Sequence, residues 1–339
     1  MSNCPTDTAT GPLLDWLLRQ YPDTPRTRAK QWILAGRVSL NGMVIRKPHH
    51  IIPDPKDALQ LGARLAPLAG GSGWRIHPRV SLLYLDCALA VVNKGPGLIS
   101  VPASNSGPSA LGLLADFLAG RLGTGKQGAD QMPLPPAYRR LKPLPVHRLD
   151  QYTSGVFCMA TNPAARRHLI AQVQARTMKR GYVAFVEGRP PSPKGVWRHW
   201  LRLDGDKLRQ QVISATEAKA AGPAACQAIT HYEVLAEFPR AGGQGVISKL
   251  RLRLETGLKH QIRIQAAQAG LPLVGDRAYH PGYRDSARGG ASIHFPRQAL
   301  HAEILELEHP DQPGKRMAWT VDLPEDLLRL EDALRARRL

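Results

Sequence analysis

Leu250-Arg251-Leu252-Arg253-Leu254 runs on into Glu255-Thr256-Gly257-Leu258-Lys259-His260-Gln261-Ile262-Arg263-Ile264, and the reading of this stretch decides the fold. Strict alternation sends the leucines to one face of a strand and the arginines to the other. One face is then buried and the other is cationic, the pattern of an antiparallel sheet rather than of a strand buried on both sides. Thr256-Gly257 breaks the strand, and a helix follows over 259–269, stopped by Gly270. Working outward, further strands are expected at 82–85, 89–92, 156–160, 183–186, 228–235 and 300–307. Helices are expected at 111–118 and at 163–176, the latter with Asn162 as cap and Pro163 at its first position. These elements do not alternate as regular βαβ units, so the fold class is α+β with a mainly antiparallel, mixed sheet.

Before this unit lies a smaller one, over 11–66. Leu13, Leu14, Trp16, Leu17 and Leu18 suggest a short helix. Residues 25–35 suggest another, with Ala29, Trp32 and Ile33 on one face and Gly36 as C-cap. Val38-Ser39-Leu40, Asn41-Gly42 and Val44-Ile45 then spell a tight hairpin. Arg26, Arg28, Lys30, Arg37, Arg46 and Lys47 crowd round the second helix and the turn. They are either a docking face or a solvated helix surface. Pro67-Leu68-Ala69-Gly70-Gly71-Ser72-Gly73 reads as a flexible linker, placed at 67–76, and the large unit occupies 77–325. Residues 120–145, rich in Gly, Pro and basic side chains, read as a long mobile loop.

Composition bounds the partners. Across 339 residues, 46 Lys and Arg oppose 27 Asp and Glu, a net charge of +19. Such a surplus points to a polyanion, with nucleic acid first. Cys4, Cys87, Cys158 and Cys226 form no CxxC pair, which argues against a metal ribbon or a disulfide scaffold. Met1 to Thr10 does not read as a signal peptide, so none is expected, and no uncharged apolar run approaches about 18 residues. The expectation is a cytoplasmic monomer with no membrane segment and no metal.

Three clusters carry chemistry. His147-Arg148-Leu149-Asp150-Gln151-Tyr152-Thr153-Ser154-Gly155 sets a carboxylate between a loop and a strand, where it can be rigid and still face a ligand. Alone, an Asp beside an Arg is ordinarily a structural ion pair. Arg180-Gly181-Tyr182-Val183 opens a strand with an aromatic ring able to stack on a base, although a core tyrosine has the same signature. The third cluster, Glu255 to Ile264 followed by Pro272-Leu273-Val274-Gly275-Asp276, puts Lys259, His260 and Arg263 in the first turns of a helix. That is a natural anion site, or else ordinary surface charge.

In combination and order, HRLDxxTSG, basic-x-Tyr, TGxxHQIR and VGD resemble the RluA family of pseudouridine synthases. Leu89 to Pro102 (LAVVNKGPGLISVP) is similar to that family's opening strand and turn, and Gln298-Ala299-Leu300-His301-Ala302 with His309-Pro310 to its closing strand. The first unit is similar to the alpha-L RNA-binding domain of the ribosomal-protein-S4 type, through Arg28-Ala29, Ala35-Gly36-Arg37-Val38 and Asn41-Gly42.

The resemblance implies isomerisation of uridine to pseudouridine in structured RNA. Asp150 matches the essential carboxylate, whether it attacks the ribose, attacks the ring or abstracts a proton. Tyr182 matches the tyrosine that packs on the target base, and Arg263 the arginine paired with the carboxylate. Arg148 matches the arginine that fills the gap left by a flipped-out uridine; His147, Lys259, His260, Arg26, Arg28, Lys30 and Arg37 are expected to contact RNA. An extruded base costs a few kcal/mol, roughly, part of which a stacked guanidinium recovers. One glycosidic bond is exchanged for a carbon–carbon bond, so no cofactor is expected.

The chain departs from the family pattern at Asn93-Lys94-Gly95-Pro96-Gly97, at Leu258-Lys259, at Arg180 and at His280. These departures bear on the substrate rather than on Asp150. The alpha-L unit favours large-subunit (23S) ribosomal RNA, while Ser100-Val101-Pro102 resembles members acting on both tRNA and rRNA. The alternatives are a catalytically silent RNA-binding or ribosome-assembly factor, and a hydrolase of glycosides or nucleotides. The latter needs a second carboxyl about 5–10 Å from Asp150, for which Glu255 and Asp276 are candidates.

Overall fold

A computed structural model describes residues 11–34, 37–45, 47–52, 59–61, 68–102, 108–122, 134–205, 209–240, 243, 245–283 and 293–337. The first unit contains β1 (Gly11–Pro12), α1 (Leu13–Gln20), α2 (Arg26–Leu34), β2 (Val38–Leu40), β3 (Met43–Val44), β4 (Ile51–Ile52) and β5 (Leu59–Leu61). Leu13, Leu17, Ala29, Ile33, Val38 and Ile52 are fully buried and form its core. Trp32, expected on the same face as Ala29 and Ile33, is half-buried and meets Tyr21 edge-on. Asn41 and Gly42 both have positive φ (49° and 79°), the backbone of the tight turn that Asn-Gly favours. The Gly36 cap lies outside the described residues.

The large unit follows: β6 (Leu68–His77), β7 (Val80–Leu85), β8 (Leu89–Lys94), α3 (Ala110–Leu118), β9 (Leu144–Pro145), β10 (Ser154–Ala160), α4 (Pro163–Gln174) and β11 (Lys179–Glu187). It continues with β12 (Lys194–Leu203), β13 (Gln210–Ile213), α5 (Ala215–Ala221), β14 (Ala225–Pro239), β15 (Val246–Leu254) and α6 (Gln261–Gln268). It ends with β16 (Leu300–Glu308), β17 (Arg316–Thr320) and α7 (Glu325–Arg335). Strand order is β13-β12-β14-β15-β11-β16-β10-β8-β7-β6, with β17 added to β16 and β9 to β10. Among the described residues every pairing in this sheet is antiparallel except β10 with β16.

Alternation along β11 splits the core. Tyr182, Ala184 and Val186 face α3 and α6, while Val183 and Phe185 face α7 on the opposite side. The α6 side carries the site. All six residues from Gln261 to Ala266 are buried, two of them glutamines one helical turn apart. Gln261 Nε2 donates to the Ile229 carbonyl (3.1 Å) and Thr230 Oγ1 (2.9 Å); Gln265 Nε2 donates to the Ala228 carbonyl (3.1 Å), and its Oε1 accepts from the Thr230 hydroxyl (2.6 Å). These bonds satisfy both amides in the interior and fix the helix in register on β14.

The parallel junction of β10 and β16 requires glycine. Gly155 has φ +120°, and any Cβ there would collide with the Ala302 carbonyl. The glycine of Thr153-Ser154-Gly155 therefore lets the chain leaving Asp150 enter the sheet at close range.

Two expectations change. The stretch read as a linker is the ten-residue strand β6, paired with β7. Its Gly and Ser fall where the register slips between Ala69 and Trp74, so they mark an irregular edge strand rather than a tether. In the expected loop over 120–145, the described part folds back, and Tyr138 (1% exposed) and Leu141 (4%) enter the core.

Candidate active site

The backbone on either side of Asp150 is pinned. Leu149 N–H donates to Ser100 Oγ (3.0 Å) and the Ser100 hydroxyl returns a bond to the Leu149 carbonyl (2.8 Å). The Gln151 carbonyl accepts from Gly97 N–H (2.9 Å) and Lys94 Nζ (3.1 Å). The Tyr152 carbonyl accepts from Arg297 Nη1 (3.2 Å), and Thr153 Oγ1 from Gln298 Nε2 (3.3 Å). Asp326 in turn clamps Arg297 through two bonds of 2.6 and 2.9 Å. So α7 and the β8 turn both brace the loop. The Asp150 carboxylate projects from this frame with its side chain 16% exposed.

Arg263 is shared between two carboxylates. Its Nε and Nη2 donate to Asp276 at 2.7 and 2.8 Å, and its Nη1 reaches Asp150 Oδ2 at 3.5 Å. Asp276 also accepts from the backbone N–H groups of Ala278 and Tyr279. Burial pushes the Asp276 pKa up, but the Arg263 bond and charge outweigh it and hold the carboxyl below its usual range. Arg263 thus approaches Asp150 already oriented, at the long edge of hydrogen-bonding distance.

His260 completes the rim in a left-handed backbone conformation (φ 55°) just before α6. Burial first, then the nearby arginine and lysine, depress its pKa to about 4 against the opposing pull of Asp150, so its ring is neutral at pH 7. Tyr279 Oη accepts from Gln210 N–H (3.0 Å) and lies 2.9 Å from His260 Nδ1. The other ring nitrogen, Nε2, lies 3.9 Å from Asp150 Oδ1.

Three clefts meet at Asp150 and His260. One, of about 200 Å³, is lined by Tyr182, Arg263, Arg148, Arg180 and the aliphatic Leu254, Ile262 and Leu300. A second, about 320 Å³, adds Lys259 and Arg209; a third, about 240 Å³, adds Arg277 and Arg297. Tyr182 is 6% exposed and burial raises its pKa, so the phenol stays protonated. The arrangement offers one accessible carboxylate, a flat aromatic wall and cations on every approach.

The structure brings Asp150, Tyr182, Arg263, His260, Lys259 and Arg148 together. His147 is different: its Nε2 accepts from Cys158 N–H (3.2 Å), its ring meets Phe157 edge-on, and burial drives its pKa down to about 3. A neutral ring with its Nε2 bonded to the sheet backbone shapes the wall of the cleft. Lys259 and His260 precede the helix, which starts two residues later than expected, because Gln261 holds the turn through Thr256 Oγ1 and Leu258 N–H. In the first unit Arg26 pairs with Asp15 (2.7 Å) and Arg37 lies over the Trp32 ring, while Arg28 and Lys30 are exposed on α2.

Neither candidate second carboxylate is free for a hydrolase: Asp276 is committed to Arg263, and Glu255 to His231 and Arg176. The residues that sequence reasoning missed are the braces: Asp276 as the partner of Arg263, and Lys94, Ser100 and Arg297 on the loop. Lys94 carried a signal, for it shares the inward face of β8 with Ala90 and Val92, where a charge is costly without a task.

Comparison with known proteins bears on this geometry. Residues 88–268 match the family model for RNA pseudouridylate synthase, and residues 11–59 that for the S4 domain. The ribosomal large subunit pseudouridine synthase D of Pseudomonas aeruginosa is 32% identical over 97% of this chain and 93% of its own; that of Yersinia pestis is 33% identical over 96% and 92%. The same-named protein of Escherichia coli K12 is 30% identical over 94% and 89%. Among solved structures, human RNA pseudouridylate synthase domain containing 4 shares the fold, with a TM-score of 0.51 at 21% identity over 75% of this chain and 92% of that one. With its carboxylate, tyrosine and arginine assembled at one cleft behind an S4 domain, this chain belongs to the RNA pseudouridylate synthase family.

Proposed function

We propose that the protein converts uridine to pseudouridine in large-subunit ribosomal RNA, acting as a cytoplasmic monomer through Asp150, Tyr182 and Arg263. The observation that carries the proposal is the placement of Asp150: backbone pinned, carboxylate open, one oxygen facing Arg263 and the other His260. A group held in this way loses little freedom on reaching its transition state. The relatives named ribosomal large subunit pseudouridine synthase D support the choice of RNA.

In this reading a uridine leaves its helix and enters the cleft against Tyr182. Arg148, exposed at the rim, stacks where the base had been. Asp150, charged beside Arg263, acts on the ribose or on the ring. Lys259 and His260 line the cleft walls along which the strand passes, and Arg28 and Lys30 on α2 hold a distant phosphate run. Ser100, whose run had suggested a tRNA target, braces Leu149 from inside the fold, so it does not favour one RNA over another.

Mapping pseudouridine in rRNA and tRNA of a deletion strain tests the proposal. Sites should vanish from large-subunit rRNA, return with the wild-type chain and stay absent with Asp150→Ala. Loss confined to tRNA would overturn the target. An unchanged map, with RNA binding retained, would leave a binding factor instead.

A further inference from the structure

Arg180 is a buried cation that the reaction as described so far leaves without a task. It lies two residues before Tyr182 on β11 and is 7% exposed. Its Nε is sealed from solvent, and among the described residues the side chain has no hydrogen-bond or ion-pair partner. The guanidinium tip rests against Gly257, where any Cβ would overlap Nη1, and it lines the cleft shared by Tyr182, Asp150 and Arg263. A charge 7% exposed, with its Nε sealed, its tips open only to the cleft and no ion-pair partner, is an expensive feature to keep unless something arrives to meet it. The same cleft holds Arg148 and Arg263 against Asp150 and, behind Arg263, Asp276, so three guanidinium groups face two carboxylates.

The chemistry of the cleft selects the partner. Its walls include Val146, Leu254, Ile262 and Leu300 beside the Tyr182 ring, surfaces for a flat base. A phosphodiester is tethered on both sides and suits the rims, whereas a flipped base is tethered on one side and can enter. A uracil ring presents two carbonyl oxygens at its edge, and a guanidinium can only donate. If Asp150 adds to C6, the electron pair of the C5–C6 double bond moves towards O4. If the C1′–N1 bond breaks first, its pair passes to N1 and O2. On both routes a carbonyl oxygen gains negative charge, C5 later loses its proton, N1 ends protonated, and no other reactant is consumed.

We propose that Arg180 is a second catalytic cation, donating to a carbonyl oxygen of the target uracil and holding the charge that this oxygen acquires. The inference rests on pseudouridine formation itself, not on which RNA is modified. Its partnerless state in the free protein follows: the site is preorganised for charge that appears only during reaction.

The test uses total RNA labelled with [5-³H]uridine, from cells lacking the protein, and follows tritium released to water. Release by the wild-type chain is the separate check on the reaction. Arg180→Ala should lower kcat about 10²–10³-fold with little change in KM, as expected for loss of one preorganised donor. Arg180→Lys should retain part of the rate. Millimolar guanidinium should restore kcat in Arg180→Ala but not in Asp150→Ala. Arg180→Met keeps the buried volume without the charge and should match Arg180→Ala in rate while melting no lower than the parent. A rise in KM alone, with a shallower salt dependence, would mean a backbone phosphate contact and overturn the proposal. So would equal losses in all three variants without rescue, which would mark a structural role.

Discussion

Asp276→Asn isolates the device that aims Arg263. The exchange keeps the size of the side chain and removes one negative charge from a site 1% exposed. Arg263, 9% exposed, would lose a partner held at 2.7 and 2.8 Å and would face amide hydrogens in place of one oxygen. Breaking one side of a buried pair costs about 3–5 kcal/mol. Asp150 stands 3.5 Å from Nη1 and gives the released guanidinium somewhere to go, so the loss should fall near the lower end, about 3 kcal/mol. For a domain of this size that corresponds to roughly 6–12 °C in Tm.

The same movement would bring Arg263 fully onto the reacting carboxylate, and kcat should drop about 10²-fold, the usual scale for a misplacement near 1 Å. Differential scanning calorimetry and single-turnover tritium release measure the two effects. Arg263→Met/Asp276→Asn should melt higher than Asp276→Asn alone, because it removes the orphaned charge. If Asp276→Asn melted within about 2 °C of the parent and kept its kcat, or if the double variant melted lower still, the reasoning would be wrong.

Burial depresses the pKa of His147 to about 3 and those of His260 and His301 to about 4, below the unfolded value near 6.5. The unfolded chain therefore binds these protons first. Stability should be flat above pH 7 and decline as pH falls from about 6.5 towards 4, by up to ~1.4 kcal/mol per pH unit for each histidine; equal urea midpoints at pH 7.5 and 5.5 would contradict this. Tyr182→Phe should keep substrate affinity, whereas Tyr182→Leu should weaken it by about 5–150-fold, the scale of one base stacked on a ring. Equal KM for both would remove Tyr182 from the base. RNA affinity should fall about 10³–10⁵-fold between 50 and 200 mM salt if six to ten phosphates are held, and Arg28→Gln or Lys30→Gln should each reduce the logarithmic salt slope by about one. An unaltered slope would mean that α2 faces solvent in the complex.

How much of this could be read in advance depended on where the relevant forces act. Apolar runs found β8, β11, β14 and β16, because their side chains enter the cores that the sheet shares with its helices, and strict alternation found β15, whose Leu250 and Leu252 are buried while Arg253 is exposed. It missed β12, whose Lys194-Gly195-Val196-Trp197-Arg198-His199-Trp200 mixes charges and aromatics on both faces: Val196 is exposed while Trp197 is buried. It missed β6 because glycines at a slipped edge look like glycines in a tether. Asp150, Tyr182 and Arg263 were legible through the combination and order of their motifs, since each cluster alone also fits an ion pair, a core tyrosine or surface charge.

The braces were not legible, and the reason is distance along the chain. Asp326 acts on Arg297, Arg297 on Tyr152, and Lys94 on Gln151, across separations of 29, 145 and 57 residues. No periodicity links such partners; only the assembled sheet does, with β16 and β8 flanking β10. Arg180 belongs to the same class, since its neighbours Gly257 and His147 lie on other elements and its lack of a partner is visible only once all of them are placed. A motif can therefore reveal which side chain reacts, whereas the groups that aim it, and the charge kept waiting for the substrate, emerge from the fold that gathers them.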